Sequence, residues 1–181
     1  MCGIGGILCN EDKEYAQDIL EFIQNALPHR GPDHAGSYTF ERGGFIHTRL
    51  SIIAPSASSH QPFISPDKRY ILTYNGEIYN FKQLRHTLSS DYTFKTECDT
   101  EVVLAAYIKW KEHCLDHFNG MFAFAIYDTH TKQLFASRDR LGIKPLYYYH
   151  QDETFIFASE FKAIADSPGF QKDLNLDAIN H

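Results

Sequence analysis

The apolar run Gly3-Ile4-Gly5-Gly6-Ile7-Leu8-Cys9 begins almost at the first residue and stops at Asn10-Glu11-Asp12. A short apolar run bounded by polar residues suits a buried strand. The chain must then fold with its amino terminus inside a main sheet, and residue 2 stands at the tip of a core strand. That residue is Cys2.

Ile19, Phe22, Ile23, Ala26 and Leu27 recur at three- and four-residue steps, which predicts an amphipathic helix over 12–27 that ends at Pro28. His29-Arg30-Gly31-Pro32-Asp33 reads as a turn. Strand-like pieces follow at 44–47 and 70–74, separated by a Ser/Pro-containing loop over 54–67 that is long enough to signal function or mobility. Asn80 is placed to cap a short helix through Ser89, and Asp99 or Thr100 a longer one through His113. Strand signals over 121–127, 134–138, 146–149 and 155–158, broken by turn residues, predict antiparallel hairpins. Helices beside hairpin strands imply stacked layers of helix and sheet. The tail 173–179 resembles the first turn of another helix, as if the polypeptide continued.

The 181 residues fit one domain, 1–181, large enough to bury roughly 70 % of its unfolded surface. Seventeen basic against 23 acidic residues, with no Lys/Arg cluster, speak against a nucleic-acid partner or an anionic membrane surface. No apolar stretch reaches the length of a membrane span and no leader-like segment opens the chain, so a cytoplasmic protein is expected. Cys2, Cys9, Cys98 and Cys114 show no disulfide framework and read as reduced thiols.

Cys2 has a chemical advantage over the other three. Initiator methionine is generally removed before a small residue, and the mature chain would then begin with a thiol and a free α-amine on the same residue. Such an amine titrates close enough to neutrality to take a proton, and a neighbouring base activates a thiol. Amide attack also needs donors for the developing oxyanion, and Asn75-Gly76, directly after the apolar strand over 70–74, offers a side-chain amide and an unobstructed N–H. Arg49 suits a substrate carboxylate, and Glu77 with Asp99 an ammonium. Taken singly, each has a plainer reading: a buried cysteine, a hairpin turn, a surface charge or a helix cap.

In combination they resemble a known family. Met1-Cys2-Gly3-Ile4, His29-Arg30-Gly31-Pro32-Asp33, Arg49-Leu50-Ser51-Ile52, Tyr74-Asn75-Gly76-Glu77-Ile78-Tyr79-Asn80, Asp99-Thr100-Glu101-Val102, Phe118-Asn119-Gly120-Met121-Phe122-Ala123-Phe124 and Arg138-Asp139-Arg140-Leu141-Gly142-Ile143-Lys144-Pro145-Leu146-Tyr147-Tyr148 occur in order. This set is similar to the class II, N-terminal nucleophile glutamine amidotransferases, and most similar to the glutaminase domain of glutamine-dependent asparagine synthetases.

The resemblance implies a four-layer α-β-β-α sandwich in which Cys2 attacks the side-chain amide of L-glutamine, forms a glutamyl thioester and releases ammonia. Its α-amine would act as base, and Asn75 and Gly76 as the oxyanion hole. Arg49 would hold the glutamine carboxylate, and Glu77 and Asp99 its ammonium. Leu50, Ser51 and the backbone of Ile52 and Ile53 would line the pocket. No cofactor or metal is implied for this domain. ATP and Mg would belong to a synthetase domain, in cis or in trans, whose Ser-Gly-Gly-x-Asp-Ser loop is missing from these residues; a homodimer is left open. The sequence departs from the family at Ala54, where aspartate is frequent, and at Ser58-Ser59-His60, where small residues with glycine are usual.

Other readings have less behind them. His113, Cys114 and His117 supply too few ligands for a zinc site of the common kind. Gly3 to Leu8 lacks the third glycine of a dinucleotide loop. No histidine sits in a cysteine-protease signature. Two alternatives stay open: an acceptor other than aspartate, such as a sugar, a nucleotide precursor or a peptide-like acid, and an idle glutamine-sensing domain that keeps the fold.

Overall fold

A computed structural model describes residues 1–50 and 60–170. The predicted first strand is β1 (Gly3–Leu8), and it lies in the middle of a five-stranded sheet of order β2-β3-β1-β9-β8. Its neighbours are β3 (Gly43–Arg49) and β9 (Thr154–Ala158), both antiparallel to it. The flanks are β2 (His34–Phe40) and β8 (Tyr147–Gln151). A second sheet, of order β4-β5-β6-β7, is built from Phe63–Ile64, Tyr70–Ile78, Gly120–Asp128 and Gln133–Arg138.

Helix α1 (Lys13–Ala26) starts where Asp12 accepts the Tyr15 N–H at 2.8 Å, and it buries Ala16, Ile19, Leu20 and Ile23. These pack with Ile7, Ile46, Ile156 and the short α4 (Lys162–Ala165) on the outer face of the first sheet. Each buried aliphatic side chain contributes about 1.5–3 kcal/mol. On the other side, α2 (Phe81–Leu88) and α3 (Asp99–Trp110) cover Leu72, Phe122, Phe124 and Ile126. Between the sheets Ile4, Phe45 and Phe157 meet Ile71, Ala123, Ala125 and Tyr127, and Phe40 stacks on Tyr127 at 3.9 Å. The four layers are therefore α-β-β-α, as the family resemblance implies. Because β6 is buried on both faces, it alternates Phe122, Phe124 and Ile126 toward the helices with Ala123 and Ala125 toward the opposite sheet. That explains the unbroken apolar run seen in the sequence.

Several local expectations need correction. Asn75-Gly76 does not follow a strand that ends at Tyr74: β5 runs on to Ile78, paired with β6 through Asn75↔Ala123, Gly76↔Phe122 and Glu77↔Met121. Polar and glycine residues continue the strand because β6 supplies the ladder partner. Strand β2 carries no strand signal in the sequence, since its Ala-Gly-Ser-Tyr-Thr stretch has no strong apolar alternation. The cap of α3 is Cys98 rather than Asp99 or Thr100, and the helix stops at Trp110, three residues before His113, where Lys111 takes a φ of 53°. Asn80 precedes α2 without capping it; its side chain instead ties Asn119 N–H and His117 C=O to this corner. The loop expected over 54–67 contains β4, its first part lies outside the described residues, and so does the tail over 173–179.

Candidate active site

The two sheets open at one end of the sandwich onto a cavity of ≈ 140 Å³. Strand β1 brings Cys2 there, β3 brings His47 and Arg49, β5 brings Tyr74 through Glu77, and the start of α3 brings Cys98, Asp99 and Thr100. Cys2, Arg49, Leu50, Asn75, Gly76, Glu77 and Asp99 all line this one space. Ser51, Ile52 and Ile53 lie outside the described residues.

Cys2 stands just before the β1 ladder, whose first pair is Gly3↔Thr48. Its Sγ lies 3.4 Å from the Leu50 N–H, which points at it, and 3.7 Å from the Leu50 carbonyl oxygen. An N–H aimed at sulfur is suited to charge arriving on that atom. The Cys2 carbonyl accepts Arg30 Nε at 3.1 Å. Met1 lies over the cavity, half exposed, with its Sδ 3.5 Å from Lys144 Nζ.

Asn75 is 2 % exposed, and its Nδ2 finds no acceptor among the described residues. An orphaned buried donor costs about 1–3 kcal/mol, which an incoming oxyanion would offset. At Gly76 the backbone of β6 passes so close that a Cβ would sit 2.5 Å from the Met121 carbonyl oxygen and 2.8 Å from Phe122 Cα. Only glycine keeps the cavity wall at this position.

The acidic side of the cavity is more strongly held than sequence suggests. Asp99, buried at the first turn of α3, accepts the Tyr74 hydroxyl at 2.7 Å and the Ile78 N–H at 3.1 Å. Burial pushes its carboxyl up, against the opposing pull of those donors. Burial likewise pushes the Tyr74 hydroxyl well above its ordinary range, so it stays a donor. His47, fully buried, is pushed down to about 3 by desolvation and remains neutral, with Nε2 3.2 Å from the Tyr74 carbonyl.

Tyr74, Thr100, Met121 and Lys144 also line the cavity and belong to the motif blocks, which assign them no site role; Gln61, Cys98 and His47 line it too and belong to none of the blocks. Gln61 acts as a substitute strand: its Oε1 accepts Tyr74 N–H at 2.7 Å and its Nε2 donates to Tyr74 C=O at 3.1 Å. For Gln61, Cys98 and His47 the sequence offers only their places before Pro62, before Asp99 and at the end of the strand over 44–47. Elsewhere Cys114 is buried, with its thiol pushed up to about 12 by desolvation, and His117 stacks on Trp110. The described residues contain no group of three or more His, Cys, Asp or Glu side chains placed to hold a metal, and none of their helices is long and apolar enough to cross a membrane.

The glutamine amidotransferase domain family matches residues 1–181. The chain belongs to this family. It is similar to a putative glutamine-hydrolysing asparagine synthetase 2 of Methanocaldococcus jannaschii, with 39 % identity over 199 residues, covering 99 % of this chain and 38 % of that protein. It is also 39 % identical over 173 residues to asparagine synthetase 3 of Bacillus subtilis, covering 93 % of this chain and 28 % of the relative. This glutamine amidotransferase domain thus spans well under half the length of these relatives. The B. subtilis glutamine phosphoribosylpyrophosphate amidotransferase, solved with ADP and GMP, shares the fold at a TM-score of 0.71 and 23 % identity over 92 % of this chain and 43 % of its own.

Proposed function

We propose that the domain hydrolyses L-glutamine to L-glutamate and ammonia through a thioester on Cys2. The observation that carries this reading is the convergence of Cys2, Arg49, Asn75, Gly76, Glu77 and Asp99 on one cavity from four separate elements. Removal of Met1 frees the Cys2 nitrogen from its peptide bond and clears the cavity of the methionine side chain. The amine then takes the thiol proton, Sγ attacks the glutamine carboxamide, and Asn75 Nδ2 with the Gly76 N–H receives the oxyanion. Arg49 holds the α-carboxylate, while Glu77 and Asp99 hold the α-ammonium. Collapse expels ammonia, with the amine returning its proton; water then attacks the thioester and glutamate leaves.

This domain works without metal or cofactor in that scheme. The relatives' names favour delivery of the ammonia to a synthetase region, in cis or in trans, where ATP and Mg would activate an aspartate acceptor. The test is intact-mass spectrometry before and after treatment with a glutamine-like electrophile, alongside a glutamate assay of Cys2→Ala. One adduct on a chain lacking Met1, and loss of more than about a thousandfold in rate in the variant, are expected. An active Cys2→Ala protein sinks the assignment.

A further inference from the structure

The corner where β9 gives way to α4 grips the amino terminus at two points. Ser159, fully buried, accepts the Ile4 N–H at 2.9 Å and donates its own N–H to the Ile4 carbonyl at 2.8 Å. The next residue, Glu160, accepts Arg30 Nη1 at 3.2 Å and lies 2.6 Å from His29 Nε2 and 3.4 Å from Lys162 Nζ. Arg30, with a side chain only 10 % exposed, carries that hold inward by donating Nε to the Cys2 carbonyl at 3.1 Å.

We propose that Glu160 is a positioning residue for the nucleophile: through Arg30 it fixes the Cys2 carbonyl, and so the rotation that aims sulfur and nitrogen at Asn75 and Gly76 of β5. The proposal rests on the reading of Cys2 as the nucleophile. Cys2 needs such a hold because it lies outside the β1 ladder, and chain ends fray unless tied down. Once Met1 is gone, no preceding peptide restrains it. Among the described residues, the hydrogen bonds that remain on Cys2 are those of the Leu50 backbone with Sγ and of Arg30 with the carbonyl.

Glu160 is the single carboxylate paired with Arg30 among the described residues. Without it a mostly buried guanidinium keeps no counter-charge and turns toward water, releasing Cys2. His29 and Lys162, about half exposed, screen their pairing with solvent and pass nothing to the cavity. Neither Arg30 nor Glu160 lines the cavity. Misalignment of the nucleophile therefore lowers turnover while leaving glutamine contacts in place.

The experiment measures kcat and KM for glutamine hydrolysis in wild type, Glu160→Gln, Arg30→Lys and Lys162→Ala, with active sites counted by labelling with a glutamine-like electrophile. Glu160→Gln is expected to lose about tenfold or more in kcat per labelled site, with KM within about twofold. Arg30→Lys keeps the charge beside Glu160 but gives up the planar fork, and shows the same split. Lys162→Ala matches wild type. Counting sites separates this effect from partial unfolding, and Arg30→Lys decides if Glu160→Gln does not fold. An unchanged kcat per labelled site, or a loss confined to KM, overturns the proposal. A wild-type protein that neither labels at Cys2 nor releases glutamate overturns the functional reading, and the positioning role with it.

Discussion

The Tyr74 hydroxyl donates to the Asp99 carboxylate at 2.7 Å, so the residue next to Asn75 and Gly76 on β5 also orients the acidic wall of the same cavity. One strand thereby couples two halves of the site. Tyr74→Phe removes that donor without removing the ring. Asp99 loses a bond that favours its charged form, and its carboxyl rises further. We expect glutamine KM to increase about tenfold, in line with a lost hydrogen bond to a charged group. The acid limb of kcat/KM should move to higher pH, because Asp99 must be ionised to hold an ammonium. A pH profile superimposable on wild type refutes the coupling.

Arg49→Ala should weaken glutamine binding by about 2–5 kcal/mol, the cost of truncating one partner of a buried charge pair. Calorimetric titration of glutamine into a Cys2→Ala background reads this directly. Equal affinities in the two proteins remove Arg49 from the carboxylate role.

Asn75→Ala and Gly76→Ala should fail in different ways. The first deletes an orphaned buried donor, so kcat is expected to drop about 10²–10³-fold, with little change in melting temperature. The second forces a methyl against the β6 backbone and costs about 1–3 kcal/mol or more in stability, seen as a lower melting temperature whether or not substrate is present. If Asn75→Ala keeps its turnover, another donor serves the oxyanion.

Arg69 and Asp128 form a two-pronged pair at 2.7–3.1 Å where the β5–β6 ribbon ends. Burial alone would raise the Asp128 carboxyl, but Arg69 and the N–H groups of His130 and Thr131 outweigh it and hold it well below the usual carboxylate range. A depressed folded pKa means stability that is present above the unfolded value of about 3.9 and is lost as pH falls from there through the folded value. Asp128→Asn should therefore cost about 1–3 kcal/mol at pH 7, with the gap to wild type closing toward pH 2. Urea melts across that range test it; a gap independent of pH contradicts the ion-pair account.

Much of this was legible in the residues. The apolar run at 3–9 placed Cys2 at a strand tip, the three- and four-step pattern of Ile19, Ile23 and Leu27 gave α1, and the hairpin pair β6–β7 followed from apolar strand runs broken by turn residues. These are short-range patterns, set by which face of one element must leave water. Ordered motifs likewise identified Arg49, Asn75, Gly76, Glu77 and Asp99 as a set. What the chain could not declare locally was partnership. Asn75-Gly76 lies within a strand because Ala123 and Phe122 stand opposite it, and Gln61 completes Tyr74 from across a loop. Likewise, Glu160 reaches Cys2 through Arg30 only because β9 pairs with β1. Periodicity along a chain reports burial, whereas hydrogen-bond partners distant in sequence are chosen when the sheets and helices close on one another.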